Sequence, residues 1–255
     1  MNIEQGNKLN QLLQSWQPGG LFFSSWLNKN GYSAQLMQQY RKSGWFSSLS
    51  KGVLYRSGDK LSAYAALSGL KVQLNKSFYV GAHSALELFG FNHYVPMGKP
   101  ILMIGHSKGD KVPIWMTKID FEFEMKFFVT ETFSDPQLTK INKDSFELLT
   151  SVPEQAFLEC LLLAHNHYNY MDLFYIMEQL TALRHEVVQD LLEKTDNIKV
   201  KRLFLYMAEK AGHYWFNSLD ISKINLGTGK QKLVENGVYL SKYKITIPKE
   251  LFEYE

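Results

Sequence analysis

The hydrophobic positions near the start of the chain recur at helical spacing. Leu9, Leu12, Leu13 and Trp16 stand at i, i+3, i+4 and i+7, which predicts a helix over residues 4–16. Pro18-Gly19-Gly20 breaks it. Ser24 or Ser25 is expected to cap a short helix that ends at Gly31. Ser33 is expected to cap the next one, which runs to about Ser43 with Gly44 just beyond its end. Leu36, Met37 and Tyr40 share one face of that helix; Gln35, Gln38, Gln39 and Lys42 form the other, with Arg41 at its margin. Next, Trp45, Ser47 and Leu49 alternate with Phe46, Ser48 and Ser50. Lys51-Gly52 makes a tight turn, and Val53 to Arg56 returns as the second strand of a hairpin. Two short helices around a Gly-containing turn, followed by a hairpin, are the order of a winged helix-turn-helix.

Beyond this segment the period changes several times. Residues 57–70 read as a helix leading out of it, and a boundary near 70–76 divides a winged helix-turn-helix (1–72) from a larger mixed domain (73–255). A short strand is expected at 77–81. Ser84 and Glu87 have capping-box spacing and predict a helix start, with Gly90 at the end. Residues 100–107 read as a strand. The run from Val112 alternates like a strand, with Phe121, Phe123, Met125 and Phe127 on one side. A second capping box, Ser151 to Glu154 with Pro153 in the first turn, opens a helical region. Further helices are expected at about 171–182, 184–194 and 198–211, the last ended by Gly212, and short strands and turns at 213–248. The fold class is α+β: an N-terminal winged helix-turn-helix followed by a mixed α/β domain.

Charge sharpens this picture. Residues 1–75 carry eight basic side chains against two acidic ones, a net of +6, while the whole chain of 255 residues is only +3. A basic first part points to an anionic partner, most commonly nucleic acid. At 45% hydrophobic residues the chain has material for a packed core, which excludes a disordered class. The single cysteine, Cys160, sits in an apolar helical run and reads as a buried thiol; no intramolecular disulfide can form. The N-terminus lacks the pattern of a secretory signal, and no apolar run reaches membrane-spanning length. The expectation is a soluble cytoplasmic protein.

One motif invites a different reading. Residues 105–109, GHSKG, match Gly-x-Ser-x-Gly, the nucleophile elbow of serine hydrolases. An elbow needs a helix directly after the serine, yet Ser107 is followed by a polar turn and Pro113, and no HGGG-type run lies upstream. A hydrolase using Ser107 is the remote alternative, and the chain is expected not to be an enzyme. His165 and His167, two apart, point to different helix faces, and no HExxH or CxxC occurs, so neither a metal nor a cofactor is expected. The 226–232 run, LGTGKQK, lacks phosphate-loop spacing; it reads as a basic turn in which Lys230 and Lys232 can meet a partner or solvent.

Longer runs carry a family resemblance. FYVGAHSALELFGFNHYVP, VPIWM at 112–116, SVPEQAFLECL at 151–161, VKRLFLYMAEKAGHYWF at 200–216, and the terminal LGTGKQKLV and KYKITIP resemble the AbiEi antitoxins of type IV (AbiE) toxin–antitoxin systems. With LFFSSWLNKNGYSAQLMQQYRKSGWF the likeness spans nearly the whole chain. It implies a repressor that binds inverted repeats in its own promoter; such repeats would be matched by two copies of the protein, on one DNA or as a homodimer. It also implies an antitoxin that counteracts a nucleotidyltransferase-like toxin, without needing a stable complex with it. It transfers no catalytic residue. For DNA contact the matching stretch supplies Ser33, Gln35, Gln38, Gln39, Arg41, Lys42, Lys51 and Arg56, and Lys29 joins them by charge. Two other readings stay open: a protein-interaction module, and a solitary DNA-binding regulator without a toxin.

Overall fold

The computed structural model describes residues 3–15, 17–91, 98–129 and 131–254. Trp16 and the 92–96 end of the FYVG run lie outside the described residues. Contact density divides the chain into two units. One comprises Met1–Tyr79, Gly98–Phe128 and Lys140–Leu149; the other comprises Val80–Met97, Val129–Thr139 and Thr150–Glu255.

The first unit opens with α1 (Ile3–Gln14), β1 (Leu21–Phe23), α2 (Ser24–Lys29), α3 (Ala34–Lys42), β2 (Phe46–Ser50), β3 (Val53–Arg56) and α4 (Ala63–Leu74). Strand β1 was not anticipated. It pairs antiparallel with β3, Phe22 opposite Leu54, giving a three-stranded sheet of order β1-β3-β2. The pattern hid it because Leu21, Phe22 and Phe23 are all buried, so the strand shows no alternation. Neither Ser24 nor Ser25 caps α2: the N-cap is Phe23, without a side-chain bond, and both serines lie inside the helix. Behind the sheet, α4 starts at Ala63 rather than near 57, because residues 57–62 turn back. Asp59 accepts from the Gly19 amide at 2.7 Å, and the Glu122 carboxylate takes the Ala63 amide at 3.0 Å and the Ser62 hydroxyl at 3.0 Å. Residues 63–70 are buried on every side, so α4 lacks the stripe of an amphipathic helix.

Gln73 fastens α4 to the edge of β1. Its side-chain oxygen accepts from the Phe23 amide at 2.9 Å, and its nitrogen donates to the Leu21 carbonyl at 2.5 Å. Both bonds are buried.

The first unit also holds β5 (Ile101–His106), the expected strand, and α6 (Ile114–Lys118). The expected strand from Val112 is corrected here: the run forms α6 first, and extended backbone begins only with β6 (Glu124–Val129). Pro113 supplies the N-cap of α6. Strand β4 (Tyr79–Val80) is shorter than the expected 77–81. A hairpin of β7 (Leu138–Lys143) and β8 (Phe146–Ser151) went unforeseen; its loop residues, Asp144 and Ser145, both take positive φ without glycine. These strands form one sheet of order β6-β5-β4-β8-β7.

The GHSKG motif is accounted for by packing. A Cβ on Gly105 would lie 2.3 Å from the Tyr79 ring, so only glycine fits. Ser107 Oγ is hydrogen-bonded to Ser77 Oγ at 3.0 Å, and the next helix begins seven residues later, at Ile114. Asp110 bonds Lys76 Nζ at 2.8 Å and accepts from the Ser77 amide at 2.7 Å. The loop is thereby tied down rather than formed into a strand–turn–helix elbow.

The second unit is largely helical: α5 (Ala82–Leu88), α7 (Pro153–His167), α8 (Tyr170–Gln179), α9 (His185–Lys194) and α10 (Ile198–Lys210), with α11 (Lys249–Glu253) near the end. A small sheet of order β10-β11-β9 combines β9 (Gln231–Lys232), β10 (Val238–Leu240) and β11 (Ile245–Ile247). Neither capping box forms. Helix α5 begins at Ala82, whose amide donates to the Glu159 carboxylate at 2.8 Å, and Ser84 lies inside the helix. Ser151 ends β8 and donates to the same carboxylate at 3.0 Å, while Glu154 turns to Arg184. Pro153 does hold the first helical position. Cys160 is buried in α7, where burial pushes its thiol pKa up. Among the described residues no helix is long and apolar enough to cross a membrane.

Two outcomes follow. Gln73→Leu strands the Phe23 amide and the Leu21 carbonyl in the interior, and should cost about 2–4 kcal/mol in denaturant unfolding. An unchanged midpoint would show that the clamp adds nothing. Burial pushes the Asp110 carboxyl pKa up, but Lys76 and the Ser77 amide together outweigh that and hold it at about 2. Its contribution is therefore complete above the unfolded value of 3.8 and disappears as pH falls toward 2. Asp110→Asn should lose about 1 kcal/mol near pH 7, allowing for solvent around the half-exposed Lys76, and the gap to wild type should close between pH 4 and pH 2.

Candidate nucleic-acid interface

The interface is built on a small apolar core. Leu9 and Leu12 of α1, Leu27 of α2, Leu36, Met37 and Tyr40 of α3, and Phe22, Phe46 and Leu54 of the sheet pack together. The Phe22 and Phe46 rings meet edge to face with centroids 5.3 Å apart, and Tyr40 lies 6.2 Å from Phe46. Burial, and then the neighbouring Tyr32, raise the Tyr40 hydroxyl pKa, so it stays neutral. The apolar face of α3 is thus consumed, as its spacing predicts, and the opposite face is left to solvent.

Local chemistry frames that helix. Ser33 Oγ accepts from the Leu36 amide at 3.2 Å, the expected N-cap. Gly44, at φ +77°, ends the helix and turns the chain into β2. Gly31, at φ +81°, makes the turn between α2 and α3. The hairpin turn is Lys51-Gly52, with Gly52 at φ +79° and a register shift between Ser48 and Ser50. The Ser24 amide donates to the Gly52 carbonyl at 2.8 Å, which pins the turn to the start of α2.

The structure places the expected residues on this frame. Gln35, Gln38, Gln39, Arg41 and Lys42 are exposed along α3; Lys29 is exposed at the end of α2, Lys51 at the hairpin tip and Arg56 at the end of β3. Ser33 is exposed, and one lone pair of its hydroxyl is taken by the cap. Among the described residues none of Lys29, Arg41, Lys42, Lys51 and Arg56 takes part in an ion pair. Some cations elsewhere are neutralised: Lys194 by Asp135 and Asp190, Lys232 by Glu235, and Lys242 by Glu209.

Within this segment Arg41 and Lys51 come together. Both line a hollow of about 270 Å³ between α2, α3 and the hairpin, beside Ser24, Asn28 and Ser48. Those three were not anticipated. Ser24 and Asn28 stand four apart on α2, a spacing that could have flagged one polar face. Gln35, Gln38, Gln39 and Lys42 do not line the hollow. Helix α3 therefore presents two polar surfaces, one toward the hairpin and one away from it.

The second unit offers less. The LGTGKQK loop turns its carbonyls inward: Leu226, Gly227 and Gly229 accept from the buried Arg202 guanidinium at 2.5–3.1 Å, as does Lys244 from the next turn, at 2.8 Å. It is not a cradle of amides for phosphate. Lys230 lies over the Tyr239 ring, 5.1 Å from its centroid. His83 Nδ1 is hydrogen-bonded with the Tyr168 hydroxyl, and His213 Nε2 with the Met177 carbonyl. Among the described residues no group of three or more His, Cys, Asp or Glu side chains is placed to hold a metal.

Comparisons with known proteins fit this frame. No curated protein matches the chain. The crystal structure of the RV2827C protein from Mycobacterium tuberculosis is similar in fold, with a TM-score of 0.61 at 14% identity, covering 96% of this chain and 92% of that one. A model for the N-terminal domain of AbiEi antitoxin transcriptional regulators matches residues 5–97. A model described as a transcriptional regulator, the AbiEi antitoxin of type IV toxin–antitoxin systems, matches residues 99–248. Together these matches run through the winged helix and both units, and the chain belongs to the AbiEi antitoxin family of transcriptional regulators.

Proposed function

We propose that this regulator represses its own operon by binding inverted repeats upstream, and that it counteracts a nucleotidyltransferase-like toxin encoded with it. Residues 1–72 read the DNA, and residues 73–255 carry the antitoxin activity. The observation that carries the DNA reading is the exposed glutamine and cation face of α3 beside a pinned hairpin, with five basic side chains free of ion pairs among the described residues. Lys29, Arg41, Lys42, Lys51 and Arg56 neutralise phosphates and set the register. Gln35, Gln38 and Gln39 present amides to base edges in the major groove, where glutamine pairs best with adenine. The Ser33 hydroxyl, still able to donate its proton, contacts a flanking phosphate. Two copies, on one DNA or as a homodimer, match the two half-sites. The work takes place in the cytoplasm, on substrates already there, and needs no cofactor.

A gel shift with the chain's own upstream DNA tests the reading. Wild type should bind with affinity that falls steeply with salt, since each neutralised phosphate adds about 0.9 to the logarithmic slope. Gln38→Ala/Lys42→Ala should weaken binding at least about tenfold, from one lost base contact and one lost phosphate contact, while unfolding at the wild-type temperature. Binding that ignores both salt and the double substitution would favour a protein-interaction module instead. For the antitoxin activity, co-expression with the neighbouring toxin gene should restore growth, and should do so equally with the Gln38→Ala/Lys42→Ala variant. Loss of rescue in that variant would mean that the two activities are not divided as proposed.

A further inference from the structure

The hollow between α2, α3 and the hairpin has a composition that an anion satisfies. Two cations, Arg41 and Lys51, line it, and no carboxylate does. Two like charges facing one hollow repel each other, and an anion held between them relieves that repulsion. Ser24 and Asn28 add neutral donors from α2. The Ser48 hydroxyl is engaged, donating to the Ser50 carbonyl at 3.1 Å. Met37 and Leu54 give the hollow apolar walls. At about 270 Å³ it has room for a phosphate and part of its sugar.

The backbone positions that carry the two cations are also fixed. The bond of 2.8 Å from the Ser24 amide to the Gly52 carbonyl ties the hairpin turn to α2, so the wing is not a free flap, and the Lys51 stem rises from a fixed point. Arg41 is in the last turn of α3, whose other face is locked in the core through Leu36, Met37 and Tyr40. On a rigid frame only side-chain freedom, and no backbone freedom, is lost when the pair closes on a ligand.

We propose that this hollow seats a single DNA backbone phosphate, gripped jointly by Arg41 and Lys51, with Ser24 and Asn28 as supporting donors. The proposal rests on the DNA-binding reading above and deepens it. The hairpin-facing surface of α3 holds this phosphate, and the other surface turns Gln35, Gln38 and Gln39 to the bases while Lys42 meets a separate phosphate. Wing and recognition helix then act on the same phosphate, so their contributions are coupled.

Salt dependence separates a shared phosphate from two independent ones. Affinity for a duplex of the upstream repeats is measured across a potassium chloride series for wild type, Arg41→Gln, Lys51→Gln, the double variant and Lys42→Gln, all full-length. All three positions are exposed, so unfolding temperatures should match wild type. With a shared phosphate, either single change leaves one cation in place. The slope then falls by less than about 0.5, while the double change removes the whole contact and lowers it by about 0.9. The affinity loss of the double variant should exceed the product of the single losses by about threefold or more. Two singles that each lower the slope by about 0.9, and a double near 1.8 with multiplicative losses, would mean two separate phosphates and overturn the proposal. Wild-type slopes in all three of these variants, alongside a fall of about 0.9 in Lys42→Gln, would overturn the seat and leave the DNA reading standing. Wild-type protein that shows no salt-dependent binding overturns both.

Discussion

The winged helix depends on a strand that its own sheet satisfies on one side only. β1 pairs with β3, and its other edge meets the Gln73 side-chain amide, which accepts from Phe23 and donates to Leu21. An unpaired strand edge in the interior would leave both backbone groups without partners, at a cost of about 1–3 kcal/mol each. One amide supplies a donor and an acceptor in the geometry of a missing strand. It also fixes α4, where Gly69 lets the helix approach closely: a Cβ there would meet the Phe23 ring at 3.3 Å. With β1 held, Phe22 takes its place against Phe46, and through Phe46 and Tyr40 the placement reaches α3. The exposed face of α3 is thus positioned by a contact between residues fifty apart in sequence.

The same economy appears at helix starts. The amide of Ala63 in α4, of Ala82 in α5 and of Arg184 at α9 each donates to a glutamate remote in sequence: Glu122, Glu159 and Glu154. A carboxylate at a helix start takes an amide that the helix itself cannot satisfy and meets the positive end of the dipole. Local capping boxes were therefore misleading in this chain. Ser84 and Glu87 have the right spacing, but α5 had already begun under Glu159. Ser151 and Glu154 were both engaged elsewhere. A tertiary carboxylate outcompetes a local box because it also brings two elements together.

What was legible in the sequence divides along the same line. Where a rule concerns neighbours a few residues apart, the structure agrees with it: the Ser33 cap, the positive φ of Gly31, Gly44 and Gly52, the face of Leu36, Met37 and Tyr40, and Gly212 after α10. Where the cause lies far along the chain, the sequence reading fails. β1 is invisible without β3, α4 starts late because of Glu122, and Ile114–Lys118 becomes a helix rather than part of a strand. The exposed polar and basic face of α3 was identifiable because helical period and charge are local properties. The hollow was not, because Asn28, Arg41 and Lys51 come from three elements with no spacing in common.

Charge is used differently in different parts of the chain, and the difference bears on function. Arg202 is buried, and its guanidinium serves four backbone carbonyls with no carboxylate among those bonds. Burial lowers its pKa, but a guanidinium stays charged, and the carbonyls of the 226–229 loop replace the water it has lost. That loop is consequently committed to structure. Exposed lysines such as Lys194 and Lys242 are likewise matched with acids. In the winged helix the cations are left without such partners among the described residues, although self-repulsion among them costs stability. Among the described residues this basic group has no structural partner of that kind. A polyanion bound at α3 and its pinned hairpin, as proposed above, would offset that cost.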